Sequence, residues 1–112
     1  MVHCTYRWIV EDDRVLGGIA LRHELNDFNK HLGHIGYGIV PSARRRGLAT
    51  WAVLHMLDEA RRLGLDRVLL VCARDNLASA RTIEKVGGVP EEDIRARDDG
   101  RRRYWIDLTQ SP

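Results

Sequence analysis

The first part of the chain contains two runs typical of β-strands, one that alternates weakly between apolar and polar positions and one that is apolar throughout. Apolar, aromatic and β-branched residues concentrate in Tyr6–Val10 and again in Val15–Leu21, and the polar segment Glu11–Arg14 separates the two runs. Two such runs joined by a short polar turn predict an antiparallel hairpin. The polar stretch Arg22–Gly33 is predicted to be a loop. A third strand is predicted over His34–Val40.

The pattern changes to a helical period after Pro41, which ends the third strand because proline cannot donate to a β-ladder. A helix is predicted over Leu48–Leu63, with Gly64 as its expected end. Its apolar residues recur at steps of three and four, so they form one stripe. The stripe consists of Ala49, Ala52, Val53, Met56, Ala60 and Leu63. The next run, Arg67–Cys72, is almost entirely apolar, which is typical of a strand covered on both faces.

A second helix is predicted over Leu77–Val86. Asn76 is a favourable N-terminal cap for it, and Gly87-Gly88 ends it. Within the preceding strand, Cys72 is expected to pack as a small apolar side chain.

The last two elements are predicted to form a hairpin. Strands over Glu92–Arg97 and Arg101–Leu108 flank the turn signal Asp98-Asp99-Gly100. The resulting order, β-β-β-α-β-α-β-β, predicts an α/β (α+β) fold with a mixed central sheet, two helices and a C-terminal hairpin. With 112 residues, the chain is predicted to be one domain over 1–112.

Composition narrows the class of protein without identifying it. Hydrophobic residues make up 44% and charged residues 30% of the chain, which favours a globular domain over a disordered one. The two cysteines have no zinc spacing, and no metal site is predicted. No signal peptide or membrane span is visible, so we predict a cytoplasmic protein. The net charge is only +2 and no nucleic-acid motif is present, so a nucleic-acid partner is not expected.

The candidate chemistry lies in the basic turn over Arg44–Ala49, between the third strand and the first helix. It contains three consecutive arginines and Gly47. The free N–H groups of a helix's first turn and the helix dipole both favour an anion. Arginine also suits bidentate contact with phosphate. The turn therefore predicts a binding site for a phosphorylated cofactor.

The chain resembles the GNAT superfamily of N-acetyltransferases, and the pattern Arg44-x-x-Gly47-x-Ala49 carries most of the resemblance. This pattern is similar to the family's signature for the pyrophosphate of acyl-CoA. Glu84-Lys85-Val86-Gly87-Gly88 is similar to the family's helix ending. Further segments resemble a bacterial branch of predicted acetyltransferases. These segments are Arg22-His23-Glu24-Leu25-Asn26, Gly33-His34-Ile35-Gly36-Tyr37 and Tyr104-Trp105-Ile106-Asp107-Leu108.

The resemblance implies acetyl-CoA as the cofactor, held in a gap between two diverging strands. The backbone of Ile39 and Val40 is then expected to pair with the pantetheine amides. The N–H of Val40 is the expected oxyanion donor. Further cofactor contacts are expected from the basic turn, mainly through backbone N–H groups, and from the second helix. These residues are Arg44, Arg45, Arg46, Gly47, Leu48, Ala49, Thr50, Asn76 and Ser79.

The catalytic candidates are residues able to move a proton. His34 occupies a position where many family members carry a glutamate or histidine, and an unperturbed histidine titrates near about 6.5, which suits a base. Glu24 is an alternative base, and His23 a weaker one. The family's usual tyrosine acid aligns with Ile83, which cannot donate a proton. Tyr37 and Tyr104 are the remaining candidates for the acid, and solvent is another.

The resemblance also leaves part of the family's domain without a counterpart. Family members normally begin with a strand and two helices that help to form the acceptor site, and this chain begins at the hairpin. Either a natural short form or a truncation would explain this. A homodimer is expected to complete the site. The predicted reaction is acetyl transfer to a primary amine, of a small molecule or a peptide. The alternative is a catalytically impaired acyl-CoA-binding module.

Overall fold

The computed structural model describes residues 3–26, 32–44, 46–91 and 101–109. The strands are β1 (Cys4–Glu11), β2 (Arg14–Arg22), β3 (Ile35–Ile39), β4 (Arg67–Ala73), β5 (Val89–Pro90) and β6 (Arg101–Asp107). The helices are α1 (Leu48–Arg62) and α2 (Leu77–Lys85), and a 3₁₀ turn covers Pro41–Ala43. The predicted fold class and element order are confirmed.

The strands form one six-stranded sheet in the order β1-β2-β3-β4-β6-β5. β1, β2 and β3 are joined by antiparallel ladders, as are β4, β6 and β5. The β1–β2 hairpin turns through Asp12 and Asp13, whose φ values are +48° and +69°. Short acidic side chains tolerate this left-handed backbone better than most residues do. The predicted polar turn is therefore a tight hairpin.

The first strand of the final hairpin differs from the prediction. The predicted strand Glu92–Arg97 and its turn Asp98-Asp99-Gly100 lie outside the described residues. The strand that pairs with β6 is the shorter and earlier β5, in the register Val89↔Trp105 and Pro90↔Tyr104. A two-residue strand that contains proline has too little pattern to be found from sequence.

The core lies between the helices and the sheet. The buried side of α1 consists of Ala52, Val53, Met56, Leu57 and Ala60. Leu63 was predicted in this stripe, but it is 49% exposed because the helix has already ended there. Gly64 follows with φ +85°, as its predicted role as a stop requires. Cys72 is buried as predicted. Within the described residues, neither helix is long and apolar enough to span a membrane.

Candidate active site

The site begins where β3 and β4 separate. The two strands run parallel, but they pair only at Ile35↔Leu70. Beyond that pair β3 continues to Ile39 along β2, and β4 continues to Ala73 along β6. A gap therefore opens between two parallel strands that would otherwise be hydrogen-bonded neighbours.

The gap widens into a cleft of about 560 Å³ between the N-terminal ends of α1 and α2. Predicted residues that line the cleft are Tyr37, Ile39, Arg44, Gly47, Leu48, Ala49, Thr50, Asn76 and Ser79. The sequence analysis missed Gly38, Ala43, Ala78 and Thr82, which also line it. Thr82 lies one helical turn after Ser79, and this i, i+3 spacing is a signal that could have found it.

The N-terminus of α1 lies in this cleft without a side-chain cap. Gly47 precedes the helix with φ +76°, no side chain caps it, and its first turn contains no acidic residue. The first helical backbone bond runs from the N–H of Trp51 to the carbonyl of Gly47, at 3.0 Å. The N–H groups of Leu48, Ala49 and Thr50 therefore precede the helical ladder. Together with the helix dipole, such first-turn donors favour an anion.

The arginines of the turn have different roles. Arg44 lines the cleft, and its Nε donates to the carbonyl oxygen of Ile39 at 3.1 Å. Arg46 forms an ion pair with Glu11 through both terminal nitrogens, and its hydrogen bond and charge hold the pKa of Glu11 below its ordinary value. Arg45 lies outside the described residues. The Arg46 side chain therefore ties the turn to β1 instead of lining the cleft.

The predicted role of Val40 as the oxyanion donor is wrong, because its N–H is already bonded to β2. Its N–H donates to the carbonyl of Leu16 at 2.8 Å, and its carbonyl accepts from the N–H of Ala43 at 3.0 Å. Hydrogen bonding to a neighbour alternates along an antiparallel strand. Since Val40 bonds to β2, the backbone groups of Ile39 and Tyr37 face the gap. The Arg44 bond to the Ile39 carbonyl fits this direction.

Tyr37 brings a hydroxyl group into the cleft from β3. Its hydroxyl lies 2.7 Å from Oγ of Ser79 on α2. Burial raises the pKa of the Tyr37 hydroxyl above its ordinary value, and the hydrogen bond with Ser79 opposes part of that rise. Tyr37 is therefore protonated at neutral pH and able to donate.

The other two positions considered for the acid lie elsewhere. Ile83 is only 1% exposed and belongs to the core. The Tyr104 hydroxyl donates to Oε2 of Glu84 at 2.9 Å, and Tyr104 does not line the cleft.

His34 does not have the geometry of a general base. It is 8% exposed, and its Nδ1 accepts the N–H of Leu69 at 2.9 Å. With that lone pair occupied, a neutral ring carries its hydrogen on Nε2 and has no acceptor left. Burial lowers the pKa of His34, and the charges of Arg67 and Arg22 lower it further. The prediction of His34 as the base is therefore not supported by the site, and the ring does not line the cleft.

The other two base candidates, Glu24 and His23, lie in the bend that follows β2. Glu24 is exposed and does not line the cleft. His23 approaches Thr5, with its Nε2 2.6 Å from the threonine hydroxyl. Among the residues that the structure describes, no carboxylate or imidazole lines the cleft.

The comparisons with known proteins agree with this architecture. Residues 2–89 match the family model described as an acetyltransferase (GNAT) domain. No curated protein matches the chain significantly.

Three solved structures illustrate the likeness. The first, yncA from Salmonella typhimurium with its cofactor acetyl-CoA, is 18% identical at a TM-score of 0.72, over 90% of this chain and 62% of that one. The GNAT domain of S. lividans PAT is 12% identical at a TM-score of 0.78, over 93% of this chain and 60% of that one. A mutant spermidine/spermine N-acetyltransferase SpeG from Vibrio cholerae is 20% identical at a TM-score of 0.74, over 95% of this chain and 68% of that one. The chain thus spans about three fifths of the length of the first two.

Proposed function

The chain belongs to the GNAT acetyltransferase family, and on that premise we propose that it transfers an acetyl group from acetyl-CoA to a primary amine. One observation carries the proposal. The uncapped N-terminus of α1, with left-handed Gly47, lies at the edge of a cleft that continues into the gap between β3 and β4. Donors for a diphosphate and a slot for an extended pantetheine chain are thus adjacent.

The residues of the cleft fit such a cofactor. The first-turn N–H groups of α1 bind the diphosphate, and the guanidinium of Arg44 adds positive charge. Asn76 and Ser79 line the opposite side of the cleft. A yncA structure that contains acetyl-CoA supports this cofactor for the fold. Acetyl-CoA supplies the thioester that the amine attacks.

Ile39 and Tyr37 are the proposed hydrogen-bond and proton donors of the reaction. The N–H of Ile39 faces the gap and donates to the oxygen on which negative charge develops. The hydroxyl of Tyr37, held by Ser79, donates a proton to the departing sulfur. Tyr37 thereby replaces, from β3, a hydroxyl that Ile83 cannot supply from α2.

The amine must lose a proton without a base from the described part of the cleft. A lysine-like amine, with a pKa of about 10.4, is mostly protonated at neutral pH. We propose that water removes this proton and that orientation of the amine against the thioester provides most of the rate, an effect that can reach several kcal/mol. A likeness to an N-acetyltransferase of spermidine and spermine supports an amine acceptor.

Glu24 remains an alternative base, and a loss of turnover in the Glu24→Gln variant would support this role.

We also propose that the protein is a homodimer, and the molar mass measured by light scattering tests this.

The second candidate function is an acyl-CoA-binding module without turnover. The absence of a carboxylate or imidazole among the described cleft residues favours it. Such a module would use the same cofactor site, so only turnover separates the two candidates.

Two measurements test the proposal. Calorimetric titration with acetyl-CoA is expected to give a micromolar dissociation constant, and no binding at millimolar ligand would refute both candidates. Release of CoA thiol is then measured over polyamines, amino acids and peptide N-termini. Turnover with any amine supports the enzyme, whereas tight binding without turnover supports the module.

A further inference from the structure

The sheet consists of two antiparallel blocks that meet at one place. One block is β1-β2-β3 and the other is β4-β6-β5. The regular connection between them is the pair Ile35↔Leu70, next to an isolated bridge between Gly33 and Leu70. The few bonds made there, together with the packing of α1 and α2 against the sheet, set the orientation of one block relative to the other and hence the shape of the gap.

His34 makes two of these bonds with a single residue of β4. Its backbone N–H donates to the carbonyl of Leu69 at 2.7 Å, and its Nδ1 accepts the N–H of Leu69 at 2.9 Å. Leu69 is fully buried and His34 nearly so. The imidazole thus serves as a substitute for a backbone acceptor at the place where the two strands begin to separate.

The residues around His34 hold it in this position. The carbonyl of His34 accepts the N–H of Arg22 at 2.6 Å, and Nη1 of Arg22 donates to the carbonyl of Gly33 at 3.1 Å. Gly33 has φ +82°, and a Cβ there would lie 2.6 Å from the carbonyl oxygen of Leu69. Only glycine permits this close approach of the two chains.

We infer that His34 is a positioning residue, whose bond to Leu69 fixes the point and angle at which β3 and β4 diverge and so sets the gap for the thioester. The inference rests on the proposed function. His34 does not line the cleft, and it acts through the placement of Ile39 and Tyr37, which follow it along β3. The proposed role of His34 is therefore to position the two strands and not to act as the general base.

Asparagine and glutamine substitutions separate the two ring nitrogens. The Oδ1 atom of His34→Asn lies near the position of Nδ1 and can accept the N–H of Leu69. The Oε1 atom of His34→Gln lies near the position of Nε2 and cannot reach that donor in the same way. His34→Ala removes both, and His55→Asn is a matched control because His55 is exposed on α1.

Acetyl-CoA affinity is measured by calorimetry well below the melting temperature of each variant. We expect His34→Ala and His34→Gln to weaken binding about tenfold, as loss of a buried bond allows. His34→Asn and His55→Asn are expected to stay within about twofold of the wild type. A residue that only stabilised the fold would lower the melting temperature and leave the affinity of the folded protein unchanged.

Hydrogen exchange of the Leu69 amide gives a readout that needs no cofactor. Protection is expected in the wild type and in His34→Asn, and at least a tenfold loss in His34→Ala. Equal affinities for all variants would overturn the inference, as would equal losses for Asn and Ala. If the wild type does not bind acetyl-CoA, the proposed function fails, and unchanged Leu69 exchange in His34→Ala would separately show that the imidazole does not hold the strands together.

Discussion

The two helices that meet at the cleft begin in opposite ways. α1 begins at Gly47 in a left-handed conformation, with no side-chain cap. α2 begins at Asn76, whose Oδ1 accepts the N–H of Ser79 at 3.2 Å. A helix that satisfies its first-turn donors internally has fewer left for a ligand. The difference supports the proposed anion binding at α1, whereas α2 presents the hydroxyl of Ser79 to Tyr37.

The missing cap lowers the stability of α1, whereas α2 is not affected. A side-chain cap contributes about 1 kcal/mol to a helix. α1 lacks this contribution, and its first-turn N–H groups have no capping side chain. α2 has the contribution through Asn76. Binding of a diphosphate would return stability to α1 by mass action. The comparison therefore predicts that changes at α1 alter affinity, while changes at α2 alter turnover or stability.

Thr50→Glu should have the largest effect. A carboxylate in the first turn of α1 repels a diphosphate, and at 4 Å two charges near a protein surface interact by about 4 kcal/mol. We expect acetyl-CoA affinity to fall at least about 100-fold, while the free energy of unfolding rises by about 0.5 kcal/mol through the helix dipole. Calorimetry and urea denaturation measure the two quantities. Leu77→Glu is the matched control in α2, with a similar stability gain and little loss of affinity.

Tyr37→Phe should separate chemistry from binding. Loss of the hydroxyl removes the proposed proton donor while the ring still fills its place, so kcat should fall by about tenfold or more. The dissociation constant for acetyl-CoA should change less than about threefold. Because burial raises the pKa of Tyr37, wild-type activity should not decline from ionisation of this residue below pH 10. An unchanged kcat would show that solvent, and not Tyr37, protonates the departing sulfur.

Gly47→Ala should weaken binding through the backbone. The φ of +76° costs an alanine about 1 kcal/mol, although no atom lies within 4 Å of the added Cβ. We expect a loss of stability of about 1 kcal/mol and a loss of affinity of about fivefold, as the turn relaxes away from its binding geometry. Gly64→Ala, at φ +85° after α1, is the control, since it carries the same strain outside the cleft. Equal affinities for the two variants would contradict the role of Gly47.

Asn76→Ala should affect stability more than binding. Removal of the cap at α2 should lower the free energy of unfolding by about 1 kcal/mol. Affinity for acetyl-CoA should stay within about twofold, because the proposed diphosphate site belongs to α1. A loss of affinity as large as that of Thr50→Glu would show that both helix ends bind the phosphate groups.

Glu11→Gln should give the smallest effect, and one that depends on pH. Because Arg46 holds the pKa of Glu11 below its ordinary value of 4.5, the ion pair stabilises the folded state above that pH. Its contribution is lost as the pH falls through the lowered value. Wild type and Glu11→Gln should therefore differ slightly at pH 7 and converge in acid, as measured by urea denaturation. A constant difference from pH 7 to pH 3 would contradict this linkage.

The sequence by itself predicted both helices, the strands β1 to β4 and β6, and the turn that we propose as the anion site. Gly47 and Gly64, the cap Asn76 and the stripe of α1 are local signals, because the conformation of a few neighbouring residues decides each of them. The strand–turn–helix context of Arg44–Ala49 likewise predicted that Arg44, Gly47 and Leu48 belong to the site, and all three line the cleft. Nine of the predicted site residues do line it.

Only the tertiary structure decided the direction of each bond. Whether Val40 or Ile39 faces the gap depends on the register of β3 against β2, and one residue of shift exchanges the two. Whether Nδ1 of His34 is available as a base depends on its bond with the N–H of Leu69, which is 35 positions away in sequence. The bond between Tyr37 and Ser79 likewise joins residues 42 positions apart. Proton donors and acceptors are defined by their partners in space, and residue type alone does not name those partners.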